Sequence, residues 1–254
     1  MAFIRKKNND SLKISISDKT SSTSFFALKE AYKTIRTNLV LNLDPKPCHI
    51  ITLTSSLAGE GKSTSSINLA IAIAKFNKKV LMIDGDLRKK KASKYLDFHL
   101  AKGLTDIING NVELDKAISP TKYKNFDFIA TGSTVSNPAE ILASKEMSNI
   151  LDTLSERYEY IILDTAPVNV VSDALPLIKK SEGVIIVARE NLISKKDFDK
   201  LITNLDMIDA NILGIIYIGT DSTQPYYHGK SYYAKKYYDR YGKYGKYSGY
   251  HSNN

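Results

Sequence analysis

The chain has a single cysteine, no tryptophan and no long apolar run. Cys48 is the only thiol in its 254 residues, which excludes an internal disulfide framework. Beside a predicted strand it reads as a small, partly buried side chain, not a redox group. No stretch approaches the roughly 18–20 apolar residues needed to cross a bilayer. The opening Met1-Ala2-Phe3-Ile4-Arg5-Lys6-Lys7 lacks the apolar segment, roughly 7–15 residues long, of a secretion signal. The chain is therefore expected in the cytosol. Acidic residues are also in deficit, 27 against 36 Lys and Arg, a net charge of +9. Such a balance invites a nucleic-acid or anionic-membrane reading. The excess, however, sits largely on the ends. Arg5, Lys6 and Lys7 form one cluster, and residues 221–254 hold six Lys or Arg against Asp221 and Asp239, a net +4. That distribution favours weak attraction to a membrane surface, and no nucleic-acid partner is expected.

What is present is 43% hydrophobic, enough for a sizeable core. Residues 1–24 are polar and are expected to form a disordered arm. Apolar residues at Phe26, Ala27, Ala31, Ile35, Leu39 and Leu43 recur at helical spacing, which predicts a helix over 25–43 ended by Asp44-Pro45-Lys46-Pro47. Strands are predicted over 49–54, 79–83, 126–130, 160–163, 184–188 and 212–218. Helices are predicted over 63–76, 173–179 and 194–207, as short turns within 103–118, and over 138–156 with a break near Ser144. Strands separated by helices argue for an α/β domain over 25–220, a mostly parallel sheet with helices on both faces.

After Gly219 the pattern stops. From Tyr226 onward the chain carries ten of its sixteen tyrosines: Tyr226, Tyr227, Tyr232, Tyr233, Tyr237, Tyr238, Tyr241, Tyr244, Tyr247 and Tyr250. Gly, Lys, His and Ser separate them, with almost nothing aliphatic. Such a stretch has too little apolar area to offset the entropy of ordering it. It presents many phenols, each a possible phosphoryl acceptor. The plainer alternative is a low-complexity adhesive segment.

Three motifs carry chemistry. The first is Ser55-Ser56-Leu57-Ala58-Gly59-Glu60-Gly61-Lys62-Ser63-Thr64, between a predicted strand and helix, the context a phosphate loop requires. Its glycines let backbone N–H groups turn toward a triphosphate at a helix N-terminus, so residues 58–64 are the expected nucleotide contacts. Lys62 is the expected point charge for the β and γ phosphates, and the Ser63 hydroxyl a ligand of Mg²⁺. The usual first glycine of this pattern is Ser56. The second motif, Val80-Leu81-Met82-Ile83-Asp84-Gly85-Asp86-Leu87-Arg88, delivers two carboxylates at a strand's C-terminal end, where ligands of open α/β sheets bind. Two like charges so close repel, and a cation would relieve that. An ordinary Asp-Gly turn is the bland alternative. The third, Tyr160-Ile161-Ile162-Leu163-Asp164-Thr165-Ala166-Pro167, ends another apolar strand in the form of a Walker B carboxylate.

Together with the tail, these motifs resemble the bacterial tyrosine kinases (BY-kinases) that regulate capsule and exopolysaccharide assembly. The likeness spans roughly residues 25–254. Its most specific part is the hydrophobic-Asp-x-Asp-x-Arg element at 81–88, and Asn137-Pro138-Ala139-Glu140-Ile141-Leu142 resembles that family's Asn-Pro-x-Glu-Leu-Leu segment. The family is related to the deviant-Walker partition ATPases, whose early loop lysine is Leu57 here. The resemblance implies a Mg²⁺- and ATP-dependent protein-tyrosine kinase. Lys62 would bind phosphates, Ser63, Asp86 and Asp164 would organise Mg²⁺, and Asp84 would accept the phenolic proton. It also implies autophosphorylation of the tail between subunits of a ring-like homo-oligomer. Glu30, Lys33 and Arg36 resemble the family's Glu-x-x-Arg-x-x-Arg oligomerisation element, although an intrahelical surface pair is an equally local reading. Lys33 departs from that pattern, as Lys90 does from the proline after Arg88 and Ile218 from an asparagine near the adenine. Implied partners are a transmembrane polysaccharide co-polymerase-type adaptor whose cytosolic segment activates the kinase, holding it peripherally at the membrane, and a phosphotyrosine phosphatase. Tail phosphates of about −1.5 to −2 each would turn the +4 segment negative and ill-suited to an acidic Mg²⁺ site. The competing readings are a partition-type ATPase that positions cargo on DNA or membrane, and a nucleotide-gated scaffold.

Overall fold

A computed structural model describes residues 3–4, 22–98 and 102–219. The tyrosines of the tail lie outside the described residues. The elements in chain order are β1 (Phe3–Ile4), α1 (Ser22–Asn42), β2 (His49–Ser55), α2 (Lys62–Ala74), β3 (Val80–Asp84), α3 (Lys91–Tyr95), α4 (Leu104–Ile108), α5 (Leu114–Ala117), β4 (Ser119–Pro120) and β5 (Phe126–Ile129). There follow α6 (Pro138–Ala143), α7 (Lys145–Ser155), β6 (Tyr160–Asp164), α8 (Ala174–Lys180), β7 (Gly183–Arg189), α9 (Lys195–Asp206) and β8 (Ile212–Ile218). The strands form one sheet in the order β1-β8-β7-β2-β6-β3-β5-β4, parallel throughout except for β4 against β5.

The central strands are unbroken apolar runs because both faces are covered. Every residue of β3 and of β6 is buried. Their side chains alternate between two cores, as a period of two requires. Val80 and Met82 of β3 join Ile51, Leu53, Phe126 and Phe128 under α1 and α2. Leu81 and Ile83 face the other way, against Leu104, Leu142, Met147 and Leu151. A third cluster, including Val184, Ile186, Leu201 and Leu205, seats α9 and α8 against β7. Helix α1 docks through Ala31, Tyr32, Ile35 and Leu39, all buried, so its four-residue apolar spacing is the stripe that meets α2.

The expected alternation is present, with differences at its margins. The break near Ser144 separates α6 from α7. Ser144 takes an extended backbone (φ −58°, ψ 161°) and its hydroxyl accepts the Met147 N–H at 3.2 Å, capping α7. Phe3 and Ile4 pair with Tyr217 and Ile218, so a stretch expected to be an arm without structure supplies a two-residue edge strand. Helix α1 likewise begins at Ser22, ahead of the expected boundary. The short α3 and β4 have no counterpart in the sequence expectation. Only Ala92 and Ser93 of α3 are buried, too few to produce a period.

The Ser144 cap gives a direct test. Ser144→Ala leaves the Met147 N–H without its side-chain partner and is expected to lower stability by about 1 kcal/mol in denaturant unfolding. Ser144→Asp should restore most of it.

Candidate active site

The sheet order brings the three motifs together. Strand β6 lies between β2 and β3, so the loop after β2 and the carboxylates ending β3 and β6 meet at the carboxyl ends of these central strands. In register, Asp84 sits beside Asp164 and Leu53 on the other side of it.

The loop is held from beneath. Gly59 and Gly61 both have φ of +93°, a left-handed conformation that a side chain rarely adopts. A Cβ on Gly61 would also lie 2.8 Å from the Ile218 side chain. Helix α2 starts immediately after it. Six of the seven residues at 58–64 line the cavity, all except Glu60. Glu60 is fully buried, and its Oε2 accepts the Leu57 N–H at 2.6 Å, bracing the turn. Burial pushes the Glu60 carboxyl up from its ordinary pKa, partly offset by the Leu57 N–H. Arg189 donates to the Gly59 carbonyl at 3.2 Å. Ser56, where a glycine is usual, is accounted for by its neighbours. Its hydroxyl donates to the Asp197 carbonyl at 3.3 Å and accepts from Asn169 Nδ2 at 2.8 Å, while Asn204 holds Asn169 at 3.0 Å.

Beneath the loop lies an acidic floor. Asp84 and Asp164 are fully buried, and Asp86 is 7% exposed. Asp164 Oδ1 accepts the Ser66 hydroxyl at 3.1 Å. Asp164 Oδ2 and both Asp84 carboxylate oxygens have no hydrogen-bond partner. The Thr131 hydroxyl and the Asp86 N–H face Asp84 and temper its charge without closing bonds of ordinary geometry. Desolvation, then repulsion from Asp164 and Asp86, holds the Asp84 pKa well above the usual carboxylate range. Desolvation raises Asp164 to about 6, against the pull of Lys62, Ser63 and Ser66. Lys62 is 7% exposed, and burial lowers its pKa although Asp164 and Asp86 draw it back up.

The residues fit a magnesium ion. Three buried carboxylate oxygens lack any partner, a costly state that a divalent cation would relieve. No group of three or more His, Cys, Asp or Glu set to hold a metal occurs among the described residues. Mg²⁺ takes one or two carboxylates and completes its shell with phosphate oxygens and water.

Strand β3 stops at Asp84, so Asp84 and Asp86 do not continue as one strand face. Asp86 lines the cavity and Asp84 lies behind it. Gly85 makes this turn possible. Its N–H donates to the Asp164 carbonyl at 2.8 Å, and a Cβ there would lie 2.6 Å from Leu177. Arg88 makes a two-pronged pair with the buried Asp173, at 2.5 and 3.2 Å. Asp173, Thr131, Asn169 and Asn204 were not legible as site residues, because each follows its element without a motif of its own.

On α1, Glu30, Lys33 and Arg36 do not share one outward face in the single chain. Lys33 pairs with Glu30 at 2.6 Å, the intrahelical alternative. Arg36 turns inward, donating to the Ala72 carbonyl at 3.3 Å and lying 4.6 Å over the Phe76 ring. The Tyr32 hydroxyl, buried and raised to about 12 by desolvation, donates to Ser65 at 3.1 Å. The cavity above the floor has a volume of about 1040 Å³ and includes Ile218, the last residue of β8.

A phosphate loop over buried carboxylates at the carboxyl ends of central parallel strands defines a P-loop nucleotide-binding domain, and residues 48–216 match the AAA domain family. Tyrosine-protein kinase YwqD of Bacillus subtilis is 32% identical over 207 residues, covering 82% of this chain and 86% of the relative. The putative tyrosine-protein kinase EpsB of Ralstonia solanacearum is 30% identical over 84% of this chain, but the match spans only 28% of that longer protein. The kinase domain of the Escherichia coli tyrosine kinase ETK superposes with a TM-score of 0.76 at 27% identity, covering 90% of this chain and 93% of that one. The chain belongs to the bacterial tyrosine-protein kinases, enzymes that carry this chemistry on a P-loop domain. Among the described residues no helix is long and apolar enough to cross a membrane.

The raised Asp164 pKa predicts a pH dependence. A carboxyl moved from 3.8 to about 6 on folding adds stability that is fully present below about pH 4 and lost as pH rises through 6. In the metal-free, nucleotide-free protein, Asp164→Asn should therefore gain stability over the parent between pH 5 and pH 8, on the order of 1–3 kcal/mol. Thermal melting at the two pH values checks it.

Proposed function

We propose that the chain transfers the γ-phosphoryl group of ATP to Tyr226, Tyr227, Tyr232, Tyr233, Tyr237, Tyr238, Tyr241, Tyr244, Tyr247 and Tyr250 of a second copy, and so controls synthesis and export of a surface polysaccharide. The observation that carries this is the acidic floor: three partnerless buried carboxylate oxygens beneath a phosphate loop, with Lys62 set against them. Residues 58–64 would wrap the phosphates, with Lys62 neutralising their charge. Ser63, Asp86 and Asp164 would hold Mg²⁺, which when bound supplies charge neutralisation on the transferring phosphate. A phenol has a pKa near 10, so at neutral pH it reacts as the hydroxyl and benefits from a carboxylate acceptor. The phenolic oxygen forms the new bond to phosphorus. The bond to the β–γ bridging oxygen breaks, ADP leaves, and the phenolic proton passes to Asp84. A carboxylate with raised proton affinity suits that role. Most of the rate would come from alignment and charge neutralisation, since phosphoryl transfer leaves the protein little covalent work.

One observation favours exchanging two roles. Asp86, not Asp84, lines the cavity, so Asp86 could meet the phenol while Asp84 helps hold the cation from behind.

The wider setting follows from the family resemblance. Glu30, Lys33 and Arg36 are proposed to contact a neighbouring subunit of a ring, which would require Arg36 to leave Ala72 and Phe76. A transmembrane adaptor's cytosolic segment would activate the chain and hold it at the membrane, and a phosphatase would reverse the modification. The isolated chain should accordingly have low kinase activity.

Incubation with ATP, Mg²⁺ and the adaptor segment should place phosphate on the tail tyrosines, read by mass spectrometry, and bare tyrosines would end the proposal. Lys62→Met should abolish labelling. Asp84→Asn should keep nucleotide binding and lower transfer by roughly 10²–10⁴-fold. Unimpaired transfer in Asp84→Asn, with loss in Asp86→Asn, would move the base to Asp86.

A further inference from the structure

The cavity extends well beyond the phosphate loop. At about 1040 Å³ it stands at the upper end of the roughly 300–1,000 Å³ typical of a small-molecule pocket. Its far wall is made by α3 and the segment around β4. Lys94, Tyr95 and Phe98 stand on one side and Lys122 and Tyr123 on the other, while Lys91 lies nearer the loop, close enough to act on Lys62. Among the described residues none of these three lysines is in an ion pair, and all three are exposed. Asp97 is the wall's acidic member. The aromatic residues are anchored. Phe98 stacks on the core residue Phe128 with ring centroids 5.4 Å apart and Tyr123 on Phe126 at 6.3 Å, and Lys122 Nζ lies 5.6 Å from the Tyr123 ring.

A wall of ammonium groups without a carboxylate partner, set among aromatic faces, fits a ligand that joins an aromatic ring to a dianion. A nucleotide's base would leave the lysines without a counter-charge, and an acidic peptide would leave the rings unused. An unmodified tail, at +4, gains nothing from this wall. Each phosphate adds about −1.5 to −2 at one point of the chain, so a modified phenol offers these lysines a local dianion, and about three of them turn the whole segment negative. The acidic floor repels such a tail, but the floor is only one end of the cavity. Successive tail tyrosines are one to five residues apart. A held phosphotyrosine therefore keeps the next phenol within about 3–18 Å along an extended chain.

We propose that the Lys94–Lys122 wall is a phosphotyrosine subsite that holds an already modified tail tyrosine of a second copy while the next phenol is presented to the acidic floor. Resting on the tyrosine-kinase reading of the tail, it makes phosphorylation of the cluster self-priming: the first transfer is slow and later ones faster.

The test uses the full-length, unphosphorylated chain and labelled peptides spanning residues 226–241, unmodified or phosphorylated on Tyr237 alone. Fluorescence polarisation without ATP should find the phosphopeptide bound on the order of tenfold more tightly. Phenyl phosphate should displace it at concentrations where inorganic phosphate does not. The double variant Lys94→Glu/Lys122→Glu should erase the preference, and Lys94→Arg/Lys122→Arg should keep it. With ATP, Mg²⁺ and the adaptor segment, the ratio of kcat/KM for primed over unprimed peptide should fall toward one in the glutamate variant. Equal binding of the two peptides overturns the subsite. So does equal displacement by inorganic phosphate, or equally tight binding of a single-stranded oligonucleotide, which would mark a general polyanion groove. Transfer without preference sinks the subsite and leaves the kinase reading standing. Preference without transfer sinks the kinase reading and leaves a phosphotyrosine-binding wall.

Discussion

Three carboxylates and one ammonium group share a space from which water is nearly excluded, and the rest of the domain is arranged around that imbalance. Parallel pairing of β3 with β6 sets Asp84 beside Asp164, and both are fully buried. Burying like charges is costly unless something compensates, and Lys62 compensates only in part. The consequence is visible in the direction of every shift. Asp84 and Asp164 resist ionisation and Lys62 resists protonation. A site in this condition gains free energy when a cation and a polyphosphate enter together, because each supplies the charge the other lacks.

Keeping such a site folded requires rigid surroundings. The apolar runs of β3 and β6 supply much of that rigidity, each buried along its whole length. Small residues supply the closeness. Gly85 lets its backbone bond to the Asp164 carbonyl where a side chain would strike Leu177. Ser65 and Ser66, consecutive on α2, look in two directions. Ser66 bonds Asp164 and Ser65 accepts the Tyr32 hydroxyl of α1. Helix α1 is thereby tied to the same helix whose first turn carries Lys62 and Ser63. Arg36 reinforces the tie through Ala72 and Phe76. Any partner that displaces α1 acts directly on the element that begins at the phosphate loop.

Departures from the family pattern divide into those the structure explains and those it relocates. Ser56 replaces a glycine because its hydroxyl serves a small network with Asn169, Asp197 and Asn204 that fastens the loop to α9. Ile218 packs against Gly61, so an apolar side chain fills space beside the loop where an asparagine was expected. Lys90 replaces a proline, and its ammonium group donates to the Gly132 carbonyl at 2.5 Å, joining the stretch before α3 to the loop after β5.

The alternation of strands and helices, the phosphate loop, the strand-end aspartates and the tyrosine-rich tail were all determined by the sequence alone. Each is a local pattern, an apolar run, a period or a turn residue at fixed offset, that needs no distant neighbour to be recognised. Only the tertiary structure decided that Asp84 lies behind Asp86, that Glu60 braces the loop from within, that Arg36 faces its own domain, and that α3 and β4 close a basic, aromatic wall across the cavity. Those outcomes depend on which strands become neighbours and on what is sealed from water. Burial and charge coupling arise between residues tens of positions apart, where no spacing along the chain records them.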